Sequence, residues 1–90
     1  MTREEVLAWL DTRRPAPPAN LRERLRGAVT DAPLDLAAHL EAISRRLLDG
    51  VTSRPAGGRE LALDLLAADA FITYAFEAQA EEGEGSLHGT

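Results

Sequence analysis

Residues 59–82 read RELALDLLAADAFITYAFEAQAEE, with no proline, no glycine and no base after Arg59. Leu61, Leu65, Ala68, Ile72, Ala75 and Phe76 recur at helical spacing, which predicts a helix of about six turns. The opposite side is apolar too, carrying Leu63, Leu66, Ala67, Ala70 and Tyr74. A surface helix of a small protein usually keeps a polar back. Here only Asp64 and Asp69 flank the core stripe, with Thr73 and Glu77 further round. Such a helix needs cover on more than one side, from its own chain or from another.

Upstream of it, three further helices carry their own start and stop signals. Thr2 and Glu5 have the spacing of a capping box, and Val6, Leu7, Trp9 and Leu10 supply an apolar face up to the stop at Pro15. After the stiff connector Pro15-Ala16-Pro17-Pro18, Asn20 and Glu23 repeat the capping spacing. Leu21, Leu25, Ala28 and Val29 form the stripe that follows. Thr30 or Asp31 then caps a third helix with Pro33 in its first turn. Its seam is Leu36, Leu40, Ile43 and Leu47, and Gly50 stands where a helix stop is expected. No strand pattern and no internal repeat is visible. The expectation is an all-α, small four-helix domain over residues 1–82. Its helices are set at about 3–13, 20–30, 33–49 and 59–82, with residues 83–90 as a flexible acidic C-terminal tail. The first two helices are short, the third medium and the last long and hydrophobic, so oligomerisation is expected to complete the core.

Composition narrows the function classes. The chain has 90 residues, 44% of them hydrophobic, which is room for one modest core. No cysteine is present, which excludes a disulfide framework, a thiolate metal site and a thiol nucleophile. All ten bases are arginine. No lysine is therefore present to form a Schiff base or serve a phosphate loop, and the usage suggests GC-rich bacterial coding. The N-terminal stretch MTREEVLAWL carries acids where a signal peptide carries bases. The apolar run from Leu61 to Phe76 is shorter than a membrane span and contains two aspartates. A cytoplasmic protein without membrane contact is expected.

The net charge of −5 conceals a split. Residues 1–59 hold ten Arg against eight acids, +2, and residues 60–90 hold seven acids and no base, −7. The residues expected to join the two halves are Asp64 and Asp69, with Arg22, Arg26, Arg45 and Arg46 as their partners. The two aspartates lie about 140° apart on the helix wheel, so one ligand cannot be held by both from a single face. Residues 13–26 contain five Arg and one Glu. They lack a recognition-helix pattern, and no nucleic-acid binding is expected.

A catalytic constellation needs a nucleophile, a base and a stabiliser, or a cluster of ligands. Ser44, Ser53 and Ser86 have no histidine at a diagnostic spacing, and no glycine-rich nucleotide fingerprint appears. The expectation is therefore a non-enzymatic chain without a cofactor. Asp35 and His39, one helical turn apart, read as a surface pair. With Asp64 or Asp69 they are the alternative of a carboxylate–histidine metal-binding bundle, although the Glu-x-x-His pairs of di-metal bundles are missing.

The leading expectation is an interaction or assembly protein working through its last helix, with Leu63, Ala67, Ala70, Phe71 and Tyr74 at the interface. A homodimer about a two-fold axis is the simplest partner arrangement, and another protein is the other. A further class rests on the tail. Gly85-Ser86-Leu87 resembles the Gly-Ser-Leu core of encapsulin cargo-loading peptides, over three residues. That resemblance implies a cargo or accessory protein addressed by its C-terminus.

Overall fold

The computed structural model describes residues 1–53 and 58–88, with side chains described through Glu82. Four helices make up the fold: α1 (Arg3–Leu10), α2 (Ala19–Ala28), α3 (Leu36–Thr52) and α4 (Arg59–His88). No strand occurs among the described residues. At 1.5 Å per residue, the 30 residues of α4 extend about 45 Å, which sets the 51 Å long axis of the molecule.

The expected capping box opens α1. Thr2 accepts from the Glu5 N–H at 3.2 Å, and the Thr2 N–H donates to Glu5 Oε1 at 2.9 Å. That helix closes at Leu10, earlier than residue 13. The Thr12 hydroxyl donates to Trp9 O at 2.6 Å and the Arg13 N–H to Leu10 O at 3.1 Å, a tightened last turn. Threonine competes for helix carbonyls in this way, and Arg14 is held out of helix by the following proline.

Pro18, and not Asn20, is the N-cap of α2, and it offers no side-chain bond. The first helical bond there runs from the Arg22 N–H to Pro18 O at 2.8 Å. Asn20 lies inside the helix, its carbonyl oxygen accepting from the Leu21 N–H, so the Asn20–Glu23 box does not form. Fixed proline geometry starts the helix where a polar cap was expected. The end comes at Ala28 because Val29 turns extended, with ψ at 132°, and is buried.

Between α2 and α3, Asp31 is drawn away from capping by the Arg3 N–H. Asp35 caps α3 instead, accepting from the Ala38 N–H at 3.0 Å. Gly50 does not stop α3. The helix runs on to Thr52, and the Thr52 and Ser53 hydroxyls both donate to Asp49 O at 3.0 Å, satisfying its last turn. Likewise α4 runs through Gly83 and Gly85 to His88, where a stop at residue 82 and a flexible tail were expected. Glycine costs a helix about 1 kcal/mol and terminates it only when the chain turns left-handed there.

The core joins all four helices. Val6 and Leu7 come from α1, Leu25 and Ala28 from α2 with Val29 beyond it. Ala37, Leu40, Ile43 and Leu47 come from α3, and Ala67, Ala68, Phe71, Ala75 and Ala78 from α4. The most extensive pairing is α3 with α4. The buried Ser44 hydroxyl donates to Ala68 O at 2.8 Å, so a side chain of α3 reaches the main chain of α4. Such an approach requires small residues at the contact, which the alanines of α4 supply.

Candidate functional site

The buried stripe of α4 is Asp64, Ala67, Ala68, Phe71, Ala75 and Ala78. This spacing of i, i+3, i+4, i+7, i+11 and i+14 is helical, but it is rotated from the stripe drawn through the larger residues. Two consequences follow for the expected interface. Ala67 and Phe71 are fully buried inside the chain's own core, and Tyr74 and Ala70 pack against that core. Leu63 is half-buried. The large apolar residues left on the surface of α4 are different ones: Leu65 is 46% exposed, Leu66 55% and Phe76 67%.

On a wheel of 100° per residue, Leu61, Leu65, Ile72 and Phe76 fall within about 60° of one another. They lie roughly 100° from the middle of the buried stripe. Leu61 and Ile72 are half-buried. Leu48 of α3 is 44% exposed. The antiparallel register set by Ser44 and Ala68 brings it level with the turn containing Leu65. Leu61, Leu65, Ile72 and Phe76 form an apolar flank along one side of α4, with Leu48 of α3 level with its first half. The other side is occupied by α1 and α2: Arg46 of α3 donates to Ala28 O of α2 at 2.8 Å, and Arg24 of α2 pairs with Asp64 of α4.

The acidic C-terminal half and the arginines do meet, through partners other than those expected. Asp64 is buried to 2% exposure and pairs with Arg24. Arg22 and Arg26 converge instead on Asp11 Oδ1, at 3.3 and 3.0 Å. Arg45 pairs with Glu41 one turn before it on α3, at 3.0 Å. Arg46 serves a main-chain carbonyl. Asp69 is exposed. Arg24 has the reach because it stands on the α2 flank that faces α4, whereas Arg22 and Arg26 face back toward the end of α1.

Trp9 anchors the far end of α4. Its indole N–H donates to Glu81 Oε2 at 3.1 Å, and its ring meets Tyr74 edge to face with centroids 6.0 Å apart. Above the ring, the Arg13 guanidinium carbon lies 4.0 Å from the centroid, and Arg13 pairs with Glu81 at 3.0 Å. The Trp9 hydrogen bond, aided by Arg13, holds the Glu81 carboxyl below its ordinary pKa. Burial, with the nearby Glu77 charge, pushes the Tyr74 hydroxyl up. The sequence places Trp9 on an apolar face and shows no more of this, because the partners lie 65 and 72 residues away in the chain.

His39 is not a surface residue. It is 1% exposed, and neither ring nitrogen has a hydrogen-bond partner among the described residues. Asp35 spends its side chain on the α3 cap, so the expected Asp35–His39 pair does not form. Asp35 stands as the N-cap of α3 with its side chain on the Ala38 N–H, whereas His39, within the helix, points into the core. No group of three or more His, Asp or Glu able to hold a metal occurs among the described residues.

The side chains of Gly85-Ser86-Leu87 lie outside the described residues, although their backbone continues α4. No described helix is long and apolar enough to cross a membrane. No protein-family model, no curated protein and no solved structure matches the chain.

Proposed function

We propose that this chain is a non-enzymatic helical assembly module that pairs with a second copy of itself through the uncovered flank of α4. The observation that carries the reading is the exposure of Leu65 and Phe76 on a helix whose other side already forms the core. With Leu61 and Ile72 they recur at spacings of four, seven and four, the seam geometry of paired helices. A two-fold axis lays that seam against its own copy, so one patch serves both partners. Phe76 supplies the aromatic anchor that interface centres favour.

Asp69 lies at the rim of this flank, and α4 carries no Arg or Lys after Arg59. Two copies therefore bring like charges together, and association is expected to strengthen as salt screens them. Light scattering after size exclusion, over a hundredfold range of concentration and at low and high salt, tests the reading. A dimer that is lost in Leu65→Glu and Phe76→Glu, while far-UV circular dichroism stays helical, supports it. A monomer at every concentration and salt level refutes it.

A further inference from the structure

Between the end of α1, the proline connector and α2 lies a cleft of about 440 Å³, within the range of small-ligand sites. Four arginines line it, Arg13, Arg14, Arg22 and Arg26, with Asp11 as its acid and Tyr74 from α4. Leu10, Pro17 and Leu25 add an apolar wall, and Leu25 is itself a core residue. The cleft is distinct from the α4 flank and uses none of its residues.

The charges in the cleft do not cancel. Arg13 is matched by Glu81. Arg22 and Arg26 share a single oxygen of Asp11, so two guanidinium groups meet one carboxylate. Arg14 donates to the main-chain oxygens of Asp11 and Arg13, at 3.0 and 2.8 Å, and meets no carboxylate among the described residues. Counting the lining groups and the Arg13–Glu81 pair, two positive charges are left over beside an apolar wall. A phosphate monoester carries close to two negative charges at neutral pH and presents three acceptor oxygens. Guanidinium forks match such oxygens in bidentate fashion. A singly charged carboxylate leaves one arginine unanswered.

From this arrangement we infer that the cleft between α1 and α2 binds a small phosphate monoester with an apolar or aromatic body. The phosphate sits among Arg14, Arg22 and Arg26, and the body lies against Leu10, Pro17 and Leu25. Asp11 acts in the unliganded chain as a built-in anion that holds Arg22 and Arg26 in position, and it competes with the incoming phosphate for them.

The test is calorimetric titration of the full chain, at low salt and neutral pH, with phenyl phosphate, inorganic phosphate and benzoate as probes. Phenyl phosphate is expected to bind one to one with a sub-millimolar Kd, more tightly than either of the others. Inorganic phosphate lacks the apolar body and benzoate the second charge. Arg14→Gln and Arg26→Gln should each weaken phenyl phosphate by about tenfold or more. Arg45→Gln, on the exposed face of α3, should leave it unchanged. Asp11→Asn should strengthen binding, a gain that misfolding cannot imitate. Failure of phenyl phosphate to saturate below about 10 mM overturns the inference, as does unchanged affinity in Arg14→Gln or weaker binding in Asp11→Asn. Benzoate binding as tightly as phenyl phosphate overturns the phosphate assignment. A short oligouridylate that binds more tightly, and is weakened equally by Arg45→Gln and Arg14→Gln, overturns the cleft in favour of a diffuse basic field.

Discussion

Replacing His39 with leucine is expected to stabilise the protein. The imidazole is 1% exposed and both ring nitrogens lack partners among the described residues. A neutral imidazole still carries one N–H donor and one bare acceptor. Leaving a buried polar group unsatisfied costs about 1–3 kcal/mol. Leucine removes that cost and fits a site whose α3 neighbours, Leu40 and Ile43, are already apolar. A shape mismatch takes back up to about 1.5 kcal/mol. The net expectation is a gain of about 1 kcal/mol, or roughly 4–8 °C in melting temperature for a domain of this size. Urea and thermal unfolding followed by circular dichroism measure it, at protein concentrations low enough that association does not enter. Two controls give the result its meaning. His39→Gln keeps an unsatisfied polar group and should not stabilise, and His39→Ala should destabilise by leaving a cavity. If His39→Leu lowers stability by more than about 1 kcal/mol, the imidazole is making a favourable polar interaction and the reasoning fails.

Three other outcomes are expected. Removing Arg24 should cost more than removing Arg22: Arg24→Met leaves the buried Asp64 without that partner, at about 1–3 kcal/mol after allowance for the arginine's partial exposure. Arg22→Met breaks a pair exposed on both sides and should cost less than about 1 kcal/mol in the same urea assay. For Glu81, the folded pKa lies below the ordinary 4.5, so its contribution is complete above that value and fades as pH falls through the lower, folded one. Emission from Trp9, the only tryptophan, should therefore change with a midpoint below pH 4.5, and that step should vanish in Glu81→Gln. Finally, Phe71→Ala should cost about 3–5 kcal/mol because Phe71 is fully buried. Phe76→Ala should change the stability of the dilute chain by about 0.5 kcal/mol or less while weakening association. Equal losses for the two phenylalanines would undo the assignment of faces on α4.

Much of the fold was legible because four stretches have helical periodicity, and each of the first three helices begins near a cap or a proline. Thr2 with Glu5 was read correctly because a capping box is a local pattern whose partners are three residues apart. The other boundaries moved where a local signal met a distant competitor. Asp31 had the right chemistry to cap α3, but it is engaged by Arg3, and Asp35 took its place. Gly50 and Gly83 stand where helix stops are expected because glycine is common there. Each sits within a helix, where neighbouring hydrogen bonds outweigh its modest propensity cost.

The face of α4 was misjudged for a physical reason that bears on both sites. The sequence stripe runs through Leu61, Leu65, Ile72 and Phe76 together with Ala68 and Ala75, and it assigns Ala67 and Phe71 to an interface. In a tight helix pair small residues turn inward, because only they let the axes come close enough for Ser44 to reach the Ala68 carbonyl. The row Asp64, Ala67, Ala68, Phe71, Ala75, Ala78 was visible as a periodic pattern, but it looked weak because four of its six members are alanine and one is charged. Asp64 is tolerated there because Arg24 arrives from α2, a partner that no helical spacing within α4 could announce. Once the alanines are turned inward, Leu65 and Phe76 must turn out, since residues about 100° from the buried stripe lie at its edge. The same packing that closes α3 onto α4 thus creates the apolar flank proposed for association. In the same way, Arg24 committed to Asp64 and Arg13 committed to Glu81 leave Arg14, Arg22 and Arg26 with Asp11 as their one carboxylate partner among the described residues. The surplus positive charge in the cleft is set by how the acids of α4 were distributed.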